Sequence, residues 1–102
     1  MSDGRLQELC ERIYSTNQAV RFAGVITKMC RLVAGGMRPD LESLEDKEGS
    51  SKLYVQFALI SEMRKDFDDI FGKAIYSFTE REKIKLASFP LDDNHILRVS
   101  IE

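Results

Sequence analysis

Apolar residues along this chain change period three times, and each change marks an element. Leu6, Leu9, Cys10 and Ile13 fall at i, i+3, i+4 and i+7 with charged residues between them, which predicts a first helix over Asp3 to Tyr14, capped by Ser2 or Asp3. Ser15, Thr16 and Asn17 then read as a connection. From Ala19 to Lys28 the period drops to two: Val20, Phe22, Gly24 and Ile26 alternate with Arg21, Ala23, Val25 and Thr27, a strand rich in β-branched residues. After a break at Lys28 to Arg31, short enough for a hairpin turn, Leu32, Val33 and Ala34 open a second strand that Gly35 and Gly36 close. The turn contains no Gly, Asn or Asp, so Cys30 is expected in a left-handed conformation or a longer loop. The glycine pair permits a bulge or the close approach of another backbone.

Arg38, Pro39 and Asp40 interrupt the pattern, and an acidic segment from Glu42 to Glu48 leads to Gly49, Ser50 and Ser51, a candidate helix start. Beyond it Leu53, Phe57, Ile60, Met63, Phe67 and Ile70 advance in steps of three or four and predict one long helix with a single apolar face, ended by Gly72 in a left-handed conformation. The last third alternates again. Ala74 to Thr79, Ile84 to Ala87 and His95 to Ile101 read as three strands, with turns at Glu80 to Glu82 and Pro90 to Asn94.

The order is α-β-β-α-β-β-β. Strand pairs this close in sequence pair antiparallel, and two amphipathic helices suffice to cover both faces of one sheet. The expected fold is α/β of the α+β type, a five-stranded antiparallel sheet with a helix on each face. At 102 residues and 43% hydrophobic, the chain fits one domain over residues 1–102, since two would each bury too little surface.

This order resembles the roadblock, longin and profilin-like group, in which a hairpin and a three-stranded meander join in one sheet with a long helix between them. Phe22-Ala23-Gly24-Val25-Ile26, a turn, and Arg31-Leu32-Val33-Ala34-Gly35-Gly36 resemble the first hairpin of roadblock proteins, except that Cys30 stands where those proteins usually place a glycine. The sequence also ends in the fifth strand, without the C-terminal helix that many roadblock proteins carry. Val20 to Ile26, Leu32 to Gly36 and Leu97-Arg98-Val99-Ser100-Ile101 further resemble a family of small archaeal proteins of uncharacterised activity. The roadblock resemblance implies dimerisation and the scaffolding or regulation of protein partners such as a small GTPase or signalling protein.

Charge and chemistry narrow the function. With 15 basic and 17 acidic residues and a net charge of −2, no long like-signed block is present, which argues against a nucleic-acid or anionic-membrane surface. The apolar runs, such as Leu32 to Met37 and Val55 to Ile60, fall far short of the roughly 20 residues of a spanning helix, and charges near the N-terminus interrupt any signal-peptide core. A cytoplasmic protein is the expectation, and the two cysteines, Cys10 and Cys30, suit a reducing compartment.

No arrangement of residues specifies catalysis, a metal or a cofactor. His95 is the one histidine and sits beside Asp93 and Asn94 at a strand start. Asp66, Asp68 and Asp69 do not share one helix face and lack the glycine and distal glutamate of a calcium loop, so they read as a solvated surface. Glu42, Glu45, Asp46 and Glu48 read the same way. Gly35-Gly36 matches no phosphate-loop pattern. Arg21, Lys28, Arg31, Arg38, Lys83, Lys85 and Arg98 read as ordinary solubilising charges. Cys10 belongs to the core, while Cys30, in an exposed turn near Lys28 and Arg31, is a redox candidate.

What remains is a non-enzymatic interaction module, expected to be a homodimer. Leu32, Ala34 and Met37 on an edge strand, with Tyr54, Leu59 and Phe71 beside the main stripe of the long helix, are the candidate interface residues. The alternative is a small-molecule sensor with a pocket between the long helix and the sheet, lined by Phe57, Met63, Phe67, Tyr76 and Phe78.

Overall fold

The alternating residues of the first strand form an interior strand of a five-stranded antiparallel sheet in a computed structural model that describes residues 3–38 and 47–102. In chain order the elements are α1 (Asp3–Thr16), β1 (Val20–Thr27), β2 (Leu32–Met37), α2 (Lys47–Arg64), a 3-10 turn (Lys65–Phe67), α3 (Asp68–Phe71), β3 (Ser77–Glu80), β4 (Lys85–Pro90) and β5 (His95–Ile101). The strands lie in the order β2-β1-β5-β4-β3, so β2 and β3 are the edges. The expected α-β-β-α-β-β-β fold with one antiparallel sheet is present. The acidic segment from Glu42 to Asp46 lies outside the described residues.

Alternation along β1 and β5 divides the core between two faces. Ala23, Val25, Leu97 and Val99 turn toward α1, whose Leu6 and Cys10 are fully buried against them. Phe22 and Arg98 turn the other way, toward α2, where the Arg98 guanidinium faces the rings of Tyr54 and Phe57. A layer of helix therefore covers each side of the sheet.

Several boundaries differ from the sequence expectation. Helix α1 runs on to Thr16, where Ser15 Oγ and Thr16 Oγ1 donate back to the carbonyls of Glu11 and Ile13, at 3.0 and 2.7 Å. Helix α2 begins at Lys47, ahead of Gly49. Strand β3 is shorter than expected and excludes Ala74, Ile75 and Tyr76. Ser77 pairs with Ser88, so continuing the register would set Ile75 opposite Pro90, which has no N–H to give.

The largest difference lies in the long helix. Its α-geometry ends at Arg64, and the tighter 3-10 turn over Lys65–Phe67 shifts the phase of everything after it. The single apolar face expected from Leu53 to Ile70 is split, and the split begins within α2, ahead of that turn. Leu53 and Phe57 are half-buried, whereas Ile60, Met63, Phe67 and Ile70 are exposed. Gly72 ends α3 with φ 80°, as expected, but with ψ 170°, an extended combination essentially confined to glycine.

The first hairpin confirms the sequence reading of its turn. Cys30 is left-handed, with φ 68°. Thr27 organises this turn: its carbonyl accepts from Cys30 N at 2.9 Å, and its Oγ1 accepts from Met29 N at 3.2 Å. Gly35 has φ 73°, and a Cβ there would lie 2.1 Å from the Ala23 carbonyl oxygen and 2.8 Å from Cys10 Sγ. The close backbone approach expected of this glycine is present, while the register shift of the hairpin falls between Val25 and Ile26, near the turn.

Candidate functional site

Two features on the α2 side of the sheet are candidates for function. The first is a strip of exposed apolar side chains. Val55, Leu59, Met63, Phe67, Ile70 and Phe71 run along α2 and α3, and Phe67 and Phe71 stack on one another with ring centroids 5.9 Å apart. Ile75, in the segment entering β3, is 80% exposed, whereas the exposed Tyr76 and Phe78 alternate with Ser77 and Thr79 and lie on the other face of the sheet, the α1 side. Strand β3 is an open sheet edge among the described residues, and Tyr76 keeps a ring contact to Phe89, centroids 6.2 Å apart. Large apolar residues grouped in this way, beside unpaired backbone donors and acceptors, form a contact surface rather than scattered surface hydrophobics.

The second feature is a cleft of about 290 Å³ between the end of α2 and strands β3 to β5. Phe57 and Ile60 from α2, with Leu86 and Ile96 from the sheet, supply its apolar wall. Ser77, Thr79 and Ser88 supply hydroxyls, and Arg64, Lys65, Lys73, Asp68, Asp92 and Asp93 stand among the lining groups. Arg64 Nη1 donates to Ser77 Oγ. Lys65 is held by Glu62 at 2.9 Å and also reaches the Asp93 carbonyl at 3.5 Å. Of the residues expected to line a pocket between helix and sheet, only Phe57 lines this cleft. Met63 and Phe67 are exposed on the outer side of α2 and of the turn that follows it, and Tyr76 and Phe78 alternate with the cleft-lining Ser77 and Thr79 onto the other face of the sheet.

The candidate interface residues are scattered. Leu59 and Phe71 belong to the apolar strip, Phe71 being 79% exposed. Tyr54 is half-buried, its ring centroid 5.7 Å from the Arg98 guanidinium carbon. Leu32 is exposed and Met37 half-buried on β2, but Ala34 is buried in the α1 core and offers no surface. Ala34 opposes Val25, which turns its side chain under α1. Cys30 is a half-buried free thiol in the hairpin turn.

The remaining polar residues have structural employment. His95 Nδ1 lies 2.8 Å from Asp92 Oδ2, and Asp92 Oδ1 accepts from the backbone amides of Asn94 and His95, each at 2.8 Å. These bonds, the Asn94 amide foremost and the His95 side chain next, hold the Asp92 carboxyl below its ordinary range. Arg38, read from sequence as a solubilising charge, instead closes the end of α1: its guanidinium donates to the carbonyls of Tyr14, Asn17 and Val20 at 2.8 to 2.9 Å. Burial pushes the Tyr14 phenol up, although its hydroxyl contacts the carbonyls of Ala23 and Gly36. Burial likewise raises the Cys10 thiol. Among the described residues no group of acidic, histidine or cysteine side chains could hold a metal ion, and no helix is long and apolar enough to cross a membrane.

The sequence signal for the exposed strip was the excess of apolar residues on α2. Tyr54, Val55 and Leu59 fall outside the Leu53–Phe57–Ile60 stripe, and one sheet face cannot cover both sets.

Comparison with solved structures places this architecture. The fold is that of roadblock/LC7 proteins. The chain is similar to the gliding protein MglB of Thermus thermophilus, with a TM-score of 0.77 and 13% identity over 97% of this chain and 72% of that one. Myxococcus xanthus MglB gives 0.73 and 14% identity, covering 98% and 71%. A roadblock/LC7 domain from Streptomyces avermitilis gives 0.68 and 10%, covering 94% and 77%. No family model and no curated protein matches the sequence. At these identities the roadblock likeness is one of fold.

Proposed function

We propose that the chain is a non-enzymatic protein-interaction or regulatory module that works as a homodimer. The observation that carries this reading is the apolar strip of α2 and α3 lying beside the open edge of β3. Two copies meeting across a twofold axis would pair their β3 strands and pack Leu59, Met63, Phe67 and Phe71 of one copy against those of the other, covering both liabilities at once. The short β3 supplies backbone pairing and the helix supplies apolar area. The roadblock resemblance supports a regulatory role toward a protein partner such as a small GTPase or signalling protein, and one of the similar structures is described as MglB with tetrameric arrangement. Sedimentation equilibrium at micromolar concentration tests the reading. A dimer that Leu59→Glu with Phe71→Glu converts to a folded monomer is expected, and a strictly monomeric wild-type chain would overturn it.

A second reading, a small-molecule sensor, draws its support from the cleft between α2 and the sheet, whose volume of about 290 Å³ lies just under the range of ligand pockets and suits a small molecule only.

A further inference from the structure

We propose that the cleft between α2 and strands β3 to β5 binds a small organic carboxylate, its charged head on Arg64, Ser77 and Ser88 and its apolar body against Phe57 and Leu86. This deepens the sensor reading and does not depend on the homodimer. The floor of the cleft carries the case. A sheet face roofed by a helix is normally apolar, yet here Ser77 and Ser88 sit directly opposite one another, and Thr79 follows on the same face opposite Leu86. Ser88 is 9% exposed and lines the cleft, and no protein group among the described residues bonds its hydroxyl, which leaves that hydroxyl to water or to a ligand in the cleft. A ligand that accepts from it replaces that water without losing a hydrogen bond.

The neighbours of Ser88 say what should enter. Ser77 Oγ accepts from Arg64, which leaves the Ser77 hydroxyl hydrogen free to donate, so Arg64, Ser77 and Ser88 form one contiguous group of donors. A guanidinium with two hydroxyls is the chemistry of an oxyanion site. No carboxylate neutralises Arg64 among the described residues, whereas Lys65 is already paired with Glu62. Asp68, Asp92 and Asp93 also line the cleft, with Lys73 as the one further cation among the described residues, and oppose the entry of a multiply charged anion, which selects a carboxylate over a phosphate. The apolar wall then requires a hydrocarbon body of modest length, which the volume of about 290 Å³ accommodates.

Calorimetric titration of the full chain with hexanoate, hexanamide and inorganic phosphate tests the assignment, with amide chemical-shift mapping to locate the bound molecule. Hexanoate should bind about tenfold or more tightly than hexanamide, the expected advantage of a charge-assisted anchor, and should shift the amides around Ser77 and Ser88. Arg64→Ala should erase that preference, and Ser88→Ala should weaken hexanoate binding several-fold; if Arg64→Ala fails to fold, Ser88→Ala decides alone. Equal affinity for acid and amide, tighter binding of phosphate, no binding of hexanoate at millimolar concentration, or hexanoate binding indifferent to Ser88→Ala would each overturn the proposal. Sedimentation of the same samples reports the oligomeric state separately.

Discussion

The guanidinium carbon of Arg98 sits 4.8 Å from the centroid of the Phe22 ring, on a strand that runs beside its own, with Phe57 closing over it from α2 at 5.2 Å. Arg98 is 2% exposed, so this cation is part of the layer that joins α2 to the sheet. Its long stem fills space and its charged head meets aromatic faces. Arg98→Ala should destabilise the chain by about 3 kcal/mol, combining lost packing with lost cation–π attraction. Arg98→Met, which keeps the stem, should cost markedly less. Urea denaturation followed by circular dichroism distinguishes the two.

Gly35 stands where no other residue fits. A methyl group there would meet the Ala23 carbonyl oxygen and Cys10 Sγ, and the φ of 73° strains any L side chain. Gly35→Ala should lower stability by at least about 2 kcal/mol, through strain and the displacement of α1 from the hairpin. A midpoint unchanged in urea would contradict the described packing.

Cys30 presents the opposite case, a residue with a side chain in a conformation that favours glycine. The left-handed backbone costs about 1–2 kcal/mol, and replacement by glycine recovers it less the extra freedom glycine gives the unfolded chain. Cys30→Gly should therefore leave stability unchanged or raise it by up to about 1 kcal/mol. The same variant tests the redox proposal for this thiol: diamide should generate a disulfide-linked dimer from the wild type on a non-reducing gel and none from Cys30→Gly.

The turn from β4 to β5 should respond to acid. The folded Asp92 carboxyl titrates below its ordinary value of 3.8, because the Asn94 amide and then the His95 ring favour its charged form. A carboxyl depressed by folding contributes stability that is present above its unfolded pKa and is lost as the pH falls through its folded one. Denaturation midpoints should decline as pH is lowered from about 5 toward about 2, and Asp92→Asn should flatten part of that decline. Tyr14 works in the other direction. Its folded value is raised above 10.0 by burial, so the stability it contributes is present below pH 10 and disappears as the pH rises past it.

Element order and the assignment of faces were legible because they depend on local period alone: β1 and β5 alternate cleanly, and α1 carries one narrow stripe. Cys30 was legible from the absence of a better turn residue. What stayed hidden depends on tertiary register. Nothing in the spacing of Phe67 and Ile70 reveals the 3-10 turn at Lys65–Phe67, nor does that of Ile60 and Met63 reveal that the sheet stops short of covering them. Ile75 and Tyr76 look like strand until Pro90 is found to be the residue that Ile75 would oppose. Arg38 cannot be read as a helix cap from a position so far from α1 in sequence. The cleft was anticipated in place but not in lining, because the hydroxyls of Ser77 and Ser88 come together only through strand pairing.

The bond from the Gly35 amide to Gln7 Oε1, 2.8 Å long, bears on how large an assembly can grow. Gly35 lies in the middle of β2, the sheet edge opposite β3, and a side chain from α1 has already taken its donor. A newcomer at that edge must first displace Gln7, then follow a backbone bent by two glycines of positive φ. The two rims of the sheet are thus unequal, one inviting and one shut. Association through the inviting rim uses it up in both participants, so sheet-to-sheet growth beyond a pair has to break the Gln7 bond first.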